Sequence, residues 1–215
     1  MARRAGAAVC VIALSLLLGG CSETASDLER PDVVWAEGEP TGGVWDSEWA
    51  QAYIDATIQR NLAAVYADVS DPDTVAALGY DGATAEAYAL KQQRFSGALV
   101  DTRATELDAE FAFYGNILAI EESPDGNSAV VEGCYSAVRG GQQVLYALDW
   151  TITKHPDGRY STEHEWGVTG YGECFNAEPV IARWAEPIDL DSITRDTVKE
   201  PLPREYYIDL GVISE

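Results

Sequence analysis

Basic side chains are scarce: 14 Lys and Arg stand against 36 Asp and Glu, for a formal net charge of -22. A surface of that sign repels phosphate backbones and anionic headgroups, so nucleic acid is not an expected partner. The chain has no His-Glu-x-x-His run, no Cys-x-x-Cys pair and no glycine-rich phosphate loop, which leaves zinc and nucleotide chemistry without support. The acid runs Asp68-Val69-Ser70-Asp71-Pro72-Asp73 and Asp189-Leu190-Asp191 lack the glycine and closing glutamate of a calcium loop, and read as caps and turns. No metal and no cofactor is expected. The apolar run from Ala5 to Leu18 falls short of the roughly 20 residues that a permanent membrane helix needs.

What is present begins at the N-terminus. Arg3 and Arg4 precede that apolar run, which passes into Gly19-Gly20-Cys21, the layout of an export signal. Leu18-Gly19-Gly20-Cys21 resembles the lipobox of bacterial lipoproteins, in which small residues precede a cysteine that receives diacylglycerol before cleavage. The resemblance implies a signal peptide over residues 1–20, lipidation at Cys21, and a domain held by its lipid on the extracytoplasmic face of the cell membrane. Two acyl chains anchor stably, since each buried CH2 contributes about 0.8 kcal/mol. Removal of Arg3 and Arg4 makes the mature chain two charges more negative still.

Cys10 leaves with the signal and Cys21 carries lipid, so Cys134 and Cys174 remain. An oxidising compartment favours a disulfide between them. A metal pair would need more ligands than two histidines readily give, and two buried free thiols are the third possibility. In the chain-entropy picture the bridge closes a loop of about 40 residues and stabilises the fold by about 3 to 4 kcal/mol.

Residues 21–45 are rich in Ser, Glu, Gly and Pro without periodicity and read as a tether, onto which Trp35 and Trp45 can dock back. One domain is expected after it, over residues 46–176. Asp46 or Ser47 caps a helix from Glu48 to Ala67, with the stripe Ile54, Ile58, Leu62 and Val65 widened by Tyr53 and Thr57. Ser70-Asp71-Pro72 stops it. A short helix over Asp73–Leu78 and an Ala-rich one over Thr84–Phe95 follow.

After Gly97 the period changes to alternation, and four or five strands are expected before Cys174. Early strands cover Leu99–Leu107 and Ala112–Glu121, the latter ending at the Ser123-Pro124-Asp125-Gly126-Asn127 turn. Val144, Tyr146, Leu148, Trp150 and Ile152 share one face of a strand; Tyr160, Thr162, His164, Trp166 and Val168 share one face of the next. Matching those faces requires a three-residue loop at Pro156-Asp157-Gly158, with Trp150 opposite His164. A two-residue loop at Gly140-Gly141 would put Val131 and Tyr135 on the same apolar face and turn Cys134 away from it. The class is α+β: N-terminal helices packed on a curved antiparallel sheet of four to six strands.

The capped helix, the Asp-Pro-Asp break, Val130-Val131-Glu132-Gly133-Cys134, Trp166-Gly167-Val168 and Gly170-Tyr171-Gly172-Glu173-Cys174 together resemble small lipoproteins of high-GC actinobacteria. Those are similar to the nuclear transport factor 2-like, cystatin-like cone fold, in which one sheet face lines a cavity. Strand parity places Tyr146, Trp150, Tyr160, His164 and Trp166 on that face, as the lining of a pocket suited to a small apolar or aromatic ligand. In it an inward His164 could shuttle protons, as in ketosteroid isomerase-like relatives, with Tyr53, Tyr146 or Tyr160 as partners. No inward carboxylate is expected on these strands, so no catalytic residue is assigned and His164 reads first as a core histidine; His155 reads as a surface turn residue. The functional expectation is a non-enzymatic ligand-binding or envelope-protein-binding module. An isomerase-like or hydrolase-like enzyme and a scaffold with a filled core are the rivals. Residues 177–215 are expected to form an extended arm packed on the domain, with a terminal strand or a partner-binding tail as alternatives.

Overall fold

In the computed structural model the described residues are 30–66, 70–78, 109–139, 142–164, 171–174, 176–192 and 202–209. The signal peptide, Cys21, the Thr84–Phe95 helix, the Leu99–Leu107 strand, Trp166 and Val168 lie outside them.

Ser47 opens the first helix, α1 (Glu48–Tyr66). Its Oγ accepts from the backbone N–H groups of Trp49 at 3.1 Å and Ala50 at 3.3 Å, two of the donors that a first turn leaves over. Asp46, the other candidate cap, instead accepts from the Gly42 N–H at 2.8 Å and closes the preceding 3-10 turn. Tyr53, Ile54, Thr57, Ile58, Leu62 and Val65 are all buried, as the spacing predicts. α2 (Pro72–Leu78) starts on Pro72, which has no N–H to satisfy. Asp71 caps it, accepting from the Thr74 N–H at 2.8 Å, and the same oxygen accepts from Gln59 Nε2 of α1 at 2.7 Å. One carboxylate therefore both starts α2 and fastens it to α1.

The strands are β1 (Val33–Trp35), β2 (Phe111–Glu122), β3 (Ser128–Arg139), β4 (Gln142–Lys154), β5 (Tyr160–His164) and β6 (Val180–Trp184). They form one curled antiparallel half-barrel sheet in the order β1-β6-β2-β3-β4-β5, so the fold is α+β and cone-like. Arg139 pairs with Gln142, which leaves the two-residue Gly140-Gly141 loop and sets Val131 opposite Trp150 and Tyr135 opposite Tyr146. At the next hairpin the His155 N–H donates to the Arg159 carbonyl at 2.8 Å. That leaves the three residues Pro156, Asp157 and Gly158, with Gly158 at a φ of +86°, the left-handed position that such a loop needs. Trp150 then pairs with His164, as parity demands.

The inner sheet face packs on α1 through Tyr53, Phe113, Val131, Trp150, Ile152 and Trp184. On the outer face Cys134, Ala147 and Cys174 form a small separate cluster beneath the Cys134–Cys174 disulfide, whose Cα atoms are 5.6 Å apart. Cys134 thus does point away from the main core. Cys174 ends a one-turn helix, α3 (Tyr171–Cys174).

The ends of the chain differ most from the sequence reading. β1 comes from the segment read as tether and β6 from the segment read as an arm, and β6 is inserted between β1 and β2. Ala182 and Trp184 point into the core while Arg183 points out, so this short run has the alternation of a strand but too few residues to announce one. The aromatic pair Tyr206-Tyr207 lies on a helix, α4 (Arg204–Asp209), rather than in an extended tail. Tyr207 is buried with Val75 and Leu202, and its hydroxyl accepts from the Leu202 N–H at 2.9 Å.

Candidate functional site

Trp150 is 1% exposed and is covered by α1 rather than lining a void. The Tyr53 ring meets it edge-on at 5.5 Å, and the Arg60 guanidinium lies over it at 4.5 Å from the ring centre. Tyr146 is half-buried four residues along β4, opposite Tyr135. His164 stands opposite Trp150 in the β4–β5 register; its side chain lies outside the described residues. His155 is exposed, with Nε2 2.8 Å from Ser161 Oγ.

Tyr160 sits at the edge of the sheet. Its ring meets Trp49 edge-on at 5.7 Å, and its hydroxyl donates to Glu48 Oε2 at 2.5 Å. Lys154 Nζ is 2.5 Å from the same oxygen. The ammonium holds the Glu48 carboxyl below the usual carboxylate range, with the Tyr160 hydroxyl adding to it. Glu48 in turn raises Lys154, while partial burial first, and the bond to Glu48 second, raise the Tyr160 phenol. All three shifts move away from neutrality, so at pH 7 Glu48 is charged and Tyr160 keeps its proton.

Tyr160 also borders a cleft of about 340 Å³ between α1, α2 and the start of β5. Ala52, Ala56, Leu62 and Ala77 give it a small apolar floor, and Arg30, Asp55, Gln59, Asp71, Arg159 and Thr162 give it polar walls. Four of its five charged side chains are engaged, and the fifth, Asp73, is exposed at the rim. Arg30 pairs with Asp55 at 3.2 Å, the Arg159 Nε donates to Asp157 at 2.8 Å, and Asp71 is taken up as cap and tie. An ionic ligand would have to compete with those pairs, whereas a neutral one could use the spare lone pairs and N–H groups around the rim. Among the described residues no group of three or more His, Cys, Asp and Glu could hold a metal ion.

Of the five residues grouped from strand parity, Tyr160 is the one that borders this cleft. The others belong to the inner face under α1 or lie partly outside the described residues. A signal for the cleft was present in α1: Ala52, Asp55, Ala56 and Gln59 make a small-and-polar flank beside the apolar stripe. Nothing local says what faces that flank, because α2 and β5 arrive from elsewhere in the chain. Comparison with protein-family models, with curated proteins and with solved structures finds no match for the chain.

Proposed function

We propose that the chain is a lipoprotein anchored through Cys21 at the extracytoplasmic face of the membrane, and that its domain is a non-enzymatic ligand-binding module of the cell envelope. The cleft of about 340 Å³ carries the binding part of this reading, since its size falls within the range of small-molecule sites. Its closed ion pairs favour a neutral, hydroxyl-rich ligand over the apolar one suggested by strand parity. The Cys134–Cys174 bridge supports the compartment, because such bonds persist where thiols are kept oxidised.

Two measurements test the two halves. Expressed in a host with a lipoprotein export pathway, the wild-type chain is expected in the membrane fraction with a diacylglyceryl mass on Cys21, and Cys21→Ser in neither state. An unmodified, soluble wild type would refute the anchor. Saturation-transfer NMR of the anchored protein should show contact with cellobiose and none with glutamate or spermidine. Contact with the charged probes alone, or with none of the three, would refute the cleft as a site for neutral ligands.

A further inference from the structure

The polar wall of the cleft has a hydrogen-bond sense. Gln59 Nε2 donates to Asp71 Oδ2 at 2.7 Å and to Thr74 Oγ1 at 2.9 Å, which uses both amide hydrogens. The buried Thr74 hydroxyl donates to the same carboxylate oxygen at 3.0 Å, and the Thr74 N–H reaches it at 2.8 Å. The amide cannot sit the other way round. Flipped, it would set Oε1 against a carboxylate oxygen, which only accepts, and against a hydroxyl whose hydrogen is already committed. Gln59 Oε1 and Asp71 Oδ1 are the atoms this lock leaves over, and neither has a hydrogen-bond partner among the described residues.

Other groups lining the cleft are spent in the same sense. The Thr162 hydroxyl donates to the Ala77 carbonyl and the Tyr160 hydroxyl to Glu48, so each has only lone pairs to offer. Donors remain on Arg30 and Arg159, whose guanidinium groups are held by Asp55 and Asp157. A wall of acceptors beside the small apolar floor is complementary to a ring with donating hydroxyls at its edge and C–H groups on its face. Among these acceptors only Asp71 carries a charge, so hydroxyls satisfy them without the desolvation cost of a cation.

We infer that Gln59 Oε1 and Asp71 Oδ1 are the specificity-determining pair of the cleft, accepting from two hydroxyls of one sugar ring, so that the ligand class is a neutral carbohydrate recognised through its donors. The inference rests on the reading of the cleft as a site for neutral ligands and adds which atoms select among them. The two oxygens belong to groups joined by the 2.7 Å contact, which keeps them within reach of neighbouring hydroxyls on one ring.

Titration of the full lipidated chain in nanodiscs, followed by saturation-transfer NMR, tests this with cellobiose and octa-O-methyl cellobiose as probes and empty nanodiscs as the blank. The ether keeps every oxygen of the sugar and loses every donor. Asp71→Asn keeps an oxygen for the cap, since Asn caps as well as Asp, and turns the free position into a donor. Gln59→Met keeps the reach of the side chain and removes its oxygen. The wild type should bind cellobiose more tightly than the ether, and each variant should weaken cellobiose, by about tenfold or more in both comparisons, the order of one lost hydrogen bond to a charged group. Near-UV circular dichroism should stay unchanged in both variants. An ether bound as tightly as cellobiose, or cellobiose binding that either variant retains in full, would overturn the inference and leave the cleft standing as a site for neutral ligands. A wild type without cellobiose contact would overturn both.

Discussion

Gly133 shows how a single missing side chain is dictated from far away in the sequence. A Cβ built on it would lie 2.9 Å from the Tyr53 hydroxyl oxygen and 3.1 Å from Cζ, so the phenol rests where a side chain would otherwise be. That hydroxyl is buried without a partner among the described residues, and burial drives its ionisation well above the usual phenol range. Gly133→Ala should therefore destabilise by about 1 to 3 kcal/mol, as overpacked cores do. Tyr53→Phe alone should be close to neutral, because it removes a desolvated group that gains nothing in the fold. In the double variant part of the Gly133→Ala cost should be recovered. Gly115 is the control: a Cβ there would meet the Cys134 carbonyl oxygen at 2.5 Å, and Tyr53→Phe should not relieve Gly115→Ala. Urea unfolding of the five variants (three single, two double) and the wild type reads all of this; equal costs for Gly133→Ala in both backgrounds would show that the phenol is not what excludes the side chain. The sequence marks Tyr53 as part of the α1 stripe and Gly133 as part of a strand, but not their contact, which spans 80 positions and has no local signature.

At the scale of elements, the first turn of α1 is pinned to the β4–β5 hairpin by one carboxylate. Glu48 receives Lys154 and Tyr160, the two residues that close that hairpin's register. Because the Glu48 pKa is lowered on folding, its contribution is present above the ordinary carboxylate range and is lost as the pH falls through the depressed folded value. Lys154 and Tyr160 have raised values, so their contributions are present below their ordinary ranges and vanish as the pH rises through the folded ones. The difference in thermal midpoint between wild type and Glu48→Gln should accordingly be a plateau across neutral pH that closes at both the acid and the alkaline end. A difference independent of pH would assign the effect to packing instead. The hairpins themselves were legible because side-chain parity leaves few registers open: two residues at Gly140-Gly141 and three at Pro156–Gly158 are what align the apolar faces. Ser47 as cap and Asp71 as stop were equally local. The cleft was not, because α1, α2 and β5 each show only one wall of it, and a helix flank of Ala, Asp and Gln reads as solvent-facing until its neighbours are placed.

For the molecule as a whole, the sheet is completed by its outermost described segments. Val33, Val34 and Trp35 pair with Trp184, Arg183 and Ala182, and the Trp35 ring packs 5.9 Å from Phe113 in the core. The sequence showed neither pairing, since a three-residue and a five-residue strand carry too little alternation to be seen, and their partners are about 150 positions apart. On the proposed anchor at Cys21, only the residues before Val33 are left as a tether, which at about 3.5 Å per extended residue keeps the domain within roughly 40 Å of the lipid. The same stretch carries Arg30, whose ion pair with Asp55 borders the cleft, so anchor, sheet edge and site are joined within a few residues. Loss of β1 should leave β6 as an exposed edge with Trp184 and Phe113 less covered. A chain begun at residue 38 should thus be less stable than one begun at residue 22 by about 2 kcal/mol, the order expected for uncovering a valine and part of a tryptophan. It should also associate more readily through the new edge. Urea midpoints and sedimentation velocity of the two soluble forms decide this: a lower midpoint with added oligomer is the expected outcome, and superimposable curves would mean that residues 33–35 are tether after all.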